Sequence, residues 1–243
     1  MLEYILLSTF AISLLSLVGI FTIAMNDELF RKIIFFMVSF ATGILIGASF
    51  LHLIPEAVEH VEAKAAMLVF ILGFSSFYLL ERILRWRHCH EDDCEVHPVT
   101  YLALIGDSVH NFVDGIVIAA SYLVDFKLGL ISTFAVASHE LPQELGDFSV
   151  LVFGGFSKKK ALLFNFLTAL TAVFGAIFGF FLLKEHDVTS YLLAFAAGNF
   201  TYVASSDLIP ELHKVAEFKR SAASFLFFVV GIFVMYLLSR GHP

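Results

Sequence analysis

Charge is scarce in this sequence. Of its 243 residues only 15% are Asp, Glu, Lys or Arg, whereas 59% are apolar and the mean hydropathy is +0.87. No soluble globular class has that balance, so a water-soluble domain is excluded. Cysteine is nearly absent as well: the two present, Cys89 and Cys94, share one connecting loop. They make no disulfide framework, the more so because the charge pattern described below puts that loop in the reducing cytoplasm. A basic n-region is also missing from "MLEYILLSTFAISLLSLVGIFTIAMNDELF", and its apolar run is too long for a cleaved signal. It is expected to form a first membrane helix.

What the chain has instead is long apolar runs. Eight stretches are apolar enough to span a bilayer, at about 4–25, 33–54, 65–84, 99–124, 127–154, 161–183, 188–209 and 222–239. The expectation is an all-α, multi-pass integral membrane protein with eight transmembrane helices, forming a single transmembrane domain over 1–243 with the lipid bilayer as its surroundings. All fifteen Lys and Arg lie in or beside the connections. Eleven of them (Arg31, Lys32, Arg82, Arg85, Arg87, Lys158, Lys159, Lys160, Lys214, Lys219, Arg220) sit in the alternate loops one–two, three–four, five–six and seven–eight, against four elsewhere. By the positive-inside rule those loops are cytoplasmic and both termini are extracytoplasmic.

An internal repeat runs through these spans. A shift of 155 residues lays "ATGILIGASFLHLIPE" (41–56) over "AAGNFTYVASSDLIPE" (196–211) with six identities, among them the closing Leu-Ile-Pro-Glu. The match joins span two to span seven, which cross in opposite directions. The repeat is therefore inverted, relating spans 1–3 to spans 6–8 in a 3+2+3 plan, as in alternating-access transporters. Two small-xxx-small pairs, Gly43/Gly47 and Gly175/Gly179, are placed for close helix approach.

Spans four and five stand outside the repeat and carry ionisable residues in mid-membrane. In span four, Asp107, His110, Asn111 and Asp114 fall at i, i+3, i+4 and i+7, one face of a helix. In span five, "SHELPQELGDF" places His139, Glu140, Gln143, Glu144 and Asp147 by the same rule. Each acidic residue at mid-membrane costs roughly 2.5–3.5 kcal/mol, so five left unpaired would cost about 12 kcal/mol or more. No Lys or Arg lies in the interior of either span, so protons or cations must compensate. Imidazole, carboxylate and carboxamide together make a ligand set for a divalent metal. The absence of thiolate and thioether argues against copper(I), and the two imidazoles argue against a pure magnesium or calcium site. Zinc, iron(II), manganese and cobalt remain. Seven donors exceed the need of one tetrahedral ion, which suggests two adjacent ions bridged by a carboxylate. Pro142 removes a hydrogen bond inside the helix and frees a carbonyl near Ser138.

"HNFVDG" in span four and "HELPQELGDF" in span five resemble the paired signatures of the ZIP (Zrt/Irt-like) divalent metal transporters. The resemblance extends over all eight spans, including the "HLIPE" of span two and the "DLIPE" of span seven. It implies a secondary transporter, not an enzyme, that moves zinc (or iron, manganese or cadmium) into the cytoplasm across the cell membrane. It also implies a metal site of His110, Asn111, Asp114, His139, Glu140, Gln143 and Glu144, with Asp107 and Asp147 along the route, and a homodimer. Many relatives of this branch have His where Gln143 stands, and others place a carboxylate in span six. Here span six offers only Asn165, Thr168 and Thr171.

Further candidates line the expected route: His52, Glu56 and Glu59 on the outer side, Asp207, Glu211 and His213 on the inner. The loop 85–98, with His88, Cys89, His90, Cys94 and His97, is a candidate cytoplasmic metal-catching segment. The rival reading is an intramembrane metal-dependent hydrolase. A zincin would need His-Glu-x-x-His, and the fifth position here is Gln143. No nucleic-acid partner is expected.

Overall fold

The computed structural model describes residues 1–22, 27–86, 98–153, 155–183, 188–215 and 217–239, and among these the regular structure is helical throughout, with no strand. The helices fall into about eight rods. Rod one is α1 (Leu2–Ser13), a 3-10 stretch (Leu14–Val18) and α2 (Gly19–Thr22). Rod two is α3 (Asp27–Ala48), a π-helical turn (Ser49–Leu53) and α4 (Ile54–His60). Rods three, four and five are α5 (Ala63–Trp86), α6 (Pro98–Val124) and α7 (Phe126–Phe153). Rod six breaks at Leu170 into α8 (Lys158–Ala169) and α9 (Thr171–Leu183). Rod seven is α10 (Thr189–Tyr202), a second π-helical turn (Val203–Leu208) and α11 (Ile209–His213), and rod eight is α12 (Phe218–Ser239).

The two π turns have a common cause. Pro55 and Pro210 lack an N–H, and a proline ring crowds the carbonyl four residues earlier. Widening the turn relieves that contact, and in both rods the residue before the proline bonds five residues back: Ile54 N–H to the Ser49 carbonyl, Ile209 N–H to the Ala204 carbonyl. The 155-residue shift superposes one turn on the other. Pro142, by contrast, is carried inside α7 without a break in the helix.

Glycines set the crossings. A Cβ on Gly43 of α3 would strike the Phe228 carbonyl of α12, and one on Gly231 would strike that of Phe40; likewise Gly198 of α10 meets the Phe70 carbonyl of α5, and Gly73 meets that of Phe195. The second crossing has the pattern of the first: Phe40 and Gly43 match Phe195 and Gly198 at the 155-residue shift, and Phe70 and Gly73 match Phe228 and Gly231 at a shift of 158. α6 and α9 pack in the same manner through Gly115 against the Ala172 carbonyl and Gly175 against the Phe112 carbonyl. Backbone-to-backbone contact of this kind is how helices associate without a hydrophobic driving force between them. Buried serines add ties: Ser39 to Ser224, Ser121 to Ser132, and Ser13 to the Ala169 carbonyl, each at 2.8 Å.

The outer surface is apolar. Leu7, Leu68, Leu72, Phe174, Phe181 and Phe225 are exposed, whereas Asp107, Asp114, His139, Glu140 and Glu144 are buried. Of the eight spans expected, four among the described residues form helical stretches long and apolar enough to cross a membrane: Lys32–His60, Ala63–Ile83, Lys158–Leu183 and Phe218–Leu238. An apolar exterior around a polar interior is the inverse of a water-soluble fold and marks a membrane protein.

Candidate metal centre

α6 and α7 run side by side, and their polar stripes meet. Helical periodicity stacks Asp107, His110, Asn111 and Asp114 on one face of α6, and His139, Glu140 and Glu144 on the facing side of α7; all seven are buried. Gln143 and Asp147 are half-buried.

One group of ligand atoms comes from His110, Asp114, His139 and Glu140, all within 4.8 Å of one another. The two imidazole Nε2 atoms are 3.1 Å apart. His139 Nε2 lies 3.1 Å from Asp114 Oδ2 and 3.5 Å from Glu140 Oε1, and His110 Nε2 lies 3.7 and 3.4 Å from the same oxygens. Donors around a tetrahedral ion at about 2.0–2.2 Å stand roughly 3.3–3.6 Å from each other. The spacing thus suits one small divalent ion. His139 Nδ1 bonds the Ala135 carbonyl at 3.1 Å, so it carries the proton in the neutral ring and Nε2 keeps its lone pair for the group. Phe77 of α5 stands edge-on to His110, and Phe200 of α10 edge-on to His139, each at 5.6 Å between ring centroids. These rings keep water from the imidazoles.

A second group joins Asp107, Glu140 and Glu144, again within 4.8 Å, and shares Glu140 with the first. Asn111 Nδ2 donates to Asp107 Oδ1 at 2.9 Å, and Gln143 Nε2 approaches the same oxygen at 3.4 Å. Asp114 Oδ2, both Glu140 oxygens, Glu144 Oε1, Asp107 Oδ2 and Asn111 Oδ1 are buried and accept no hydrogen bond. Acceptors crowded together without donors are what a cation site presents.

Asp107, expected along the route, lies with Glu140 and Glu144 in the second group. Asn111 and Gln143, expected as ligands, stand beside it with their amide nitrogens toward Asp107, and Asn111 Oδ1 is buried without a partner. Asn165 of α8, noted in span six but not counted among the site residues, reaches the second group: its Nδ2 donates to the carboxylate of Glu144 and, at 3.3 and 3.4 Å, to the Glu144 and Ser16 carbonyls.

The other candidates lie apart from these groups. His52 is buried with Nε2 2.9 Å from the Met235 carbonyl of α12. Glu56 pairs with His60 at 3.5 Å and, with Glu59, forms a third, largely exposed cluster at the end of α4. Asp207 is half-buried in the second π turn and His213 is exposed at the end of α11. The side chain of Glu211 and the residues His88, Cys89, His90, Cys94 and His97 lie outside the described residues.

The fold and these two groups define a helical membrane protein with a buried cluster of carboxylate and imidazole groups. The family model described as ZIP Zinc transporter matches residues 2–91 and 86–239. "Zinc transporter ZIP13" of Pongo abelii is 32% identical over 221 residues, covering 84% of this chain and 66% of that protein. "Zinc transporter YKE4" of Saccharomyces cerevisiae is 31% identical over 243 residues, covering 84% and 70%. "Zinc transporter zipt-7.2" of Caenorhabditis elegans is 37% identical over 153 residues, covering 61% of this chain but 33% of the worm protein. The chain thus spans between a third and 70% of these relatives. It belongs to the ZIP zinc transporter family.

Proposed function

We propose that the protein is a secondary transporter that carries a divalent transition metal ion, zinc foremost, across the membrane toward the cytoplasm. The observation that carries the reading is the pair of adjacent ligand groups that share Glu140, buried between α6 and α7, in which one oxygen each of Asp107, Asp114 and Glu144 and both of Glu140 accept no hydrogen bond. Family membership speaks for transport over the intramembrane hydrolase, which lacks the second histidine of a zincin.

In this reading the centre is binuclear. His110, His139 and Asp114 hold one ion and Asp107 and Glu144 the other, with Glu140 bridging. Asn111 and Gln143 orient Asp107, and Asn165 orients Glu144. An ion bound through several weak oxygen contacts beside a tighter nitrogen-bearing set has somewhere to go, which a carrier requires. Asp147, one turn beyond Glu144 and half-buried, continues the oxygen line toward the cytoplasmic end of α7.

The inverted repeat belongs to the same proposal. It is supported by the matching π turns before Pro55 and Pro210 and by the paired glycine crossings of α3 with α12 and α10 with α5. Two equivalent arms around α6 and α7 give each membrane face a similar hinge, the arrangement alternating access needs. We extend the proposal to external termini, to residence in the cell membrane, to a homodimer, to iron, manganese and cadmium as further cargo, and to capture of emerging metal by the 85–98 loop. Metal uptake into proteoliposomes tests the core of it. The wild type is expected to accumulate zinc, and His110→Ala and Glu144→Ala to lose accumulation; binding without accumulation by the wild type would overturn the carrier reading.

A further inference from the structure

Asn199 of α10 is 3% exposed, yet neither its Nδ2 nor its Oδ1 has a hydrogen-bond partner. Asn165, the other rod carboxamide outside α6 and α7, is held by Glu144 and the Ser16 carbonyl. A buried amide with both ends unmet costs free energy that an apolar residue of the same size would not. Its neighbours fix its direction. The Ala197 carbonyl takes a bond from Ser49 of rod two, Gly198 and Tyr202 face α5, and Phe200 faces His139 of α7. At 100° per residue, Asn199 then points away from rod two, into the wedge between α5 and α7 that α6 fills. That wedge is where Phe77 and Phe200 cover His110 and His139.

We propose that Asn199 is a further metal-positioning residue: its carboxamide oxygen gives a divalent ion a neutral donor on the α10 side of the His110–His139 pair, as the ion reaches or leaves the nitrogen-bearing group. A neutral amide suits that place. An amide dipole turns its oxygen toward an ion at little cost. The flanking rings exclude competing water, so a single oxygen counts for more there than in solvent.

The inference rests on the metal-transport reading, and one experiment separates the two. Wild type, Asn199→Leu and Asn199→Asp are reconstituted in proteoliposomes, and initial zinc uptake is measured with thermal unfolding of the same samples. The expected result is uptake by Asn199→Leu reduced about tenfold or more with an unfolding temperature equal to or above wild type, because an unmet polar group has been removed. Asn199→Asp, which keeps the oxygen, is expected to retain most of the uptake. Wild-type rates in a folded Asn199→Leu would overturn the inference and leave the transport reading intact. Should Asn199→Leu fail to fold, equal loss of uptake by a folded Asn199→Asp would overturn it. No uptake by the wild type would sink both.

Discussion

The two ligand groups between α6 and α7 share a carboxylate but little else. The first carries two imidazoles, is sealed by Phe77 and Phe200, and has its His139 tautomer fixed by the Ala135 carbonyl. The second has carboxylates alone, backed by the amides of Asn111, Gln143 and Asn165. Imidazole selects among divalent ions by ligand type, whereas an all-oxygen set binds harder ions with less discrimination. In the proposed function, selection belongs to the first group and relay to the second, with Glu140 common to both.

Removing the shared residue should have the largest effect. Glu140→Gln keeps the side-chain volume and removes the charge common to both groups. Zinc uptake is expected to fall on the order of 100-fold, and equilibrium dialysis should show both bound ions weakened together. If only one is weakened, the groups are independent and the bridge is wrong. A smaller and more selective effect is expected from His139→Ala, which strips a nitrogen from the first group alone. Zinc affinity should drop roughly 10–100-fold while manganese binding changes less, a shift in preference readable by competition with the two ions. Equal loss for both metals would place selection elsewhere. Asp107→Asn should do least. It touches only the second group, so uptake is expected to slow about tenfold while one zinc still binds with near wild-type affinity. Loss of that remaining ion would show that Asp107 serves the first group.

Much of this was legible in the sequence because helices impose a rigid period. Asp107, His110, Asn111 and Asp114 share a face at any crossing angle, and so do His139, Glu140 and Glu144. The scarcity of Lys and Arg in those spans already required protons or cations. The shared Leu-Ile-Pro-Glu likewise marked the two places where the rods widen into π turns, although the turns themselves were not foreseen: proline announces that a hydrogen bond is lost, not how the backbone redistributes the rest. The 3-10 stretch at Leu14–Val18 and the break at Leu170 left no comparable mark, since no proline or charge stands there.

The sequence by itself determined which residues face the interior, that the interior must hold positive charge, and that two parts of the chain repeat, because periodicity and the cost of burying charge in hydrocarbon are local rules. Only the tertiary structure decided which donors come within bonding distance of one ion. It set Asp107 beside Glu140 and Glu144, placed the amides of Asn111 and Gln143 against Asp107 and that of Asn165 against Glu144, and left Asn199 buried on α10 without a partner. The reason is that such distances depend on the register and angle at which rods cross, and those follow from packing between segments, some of them far apart in the chain, which no local rule fixes.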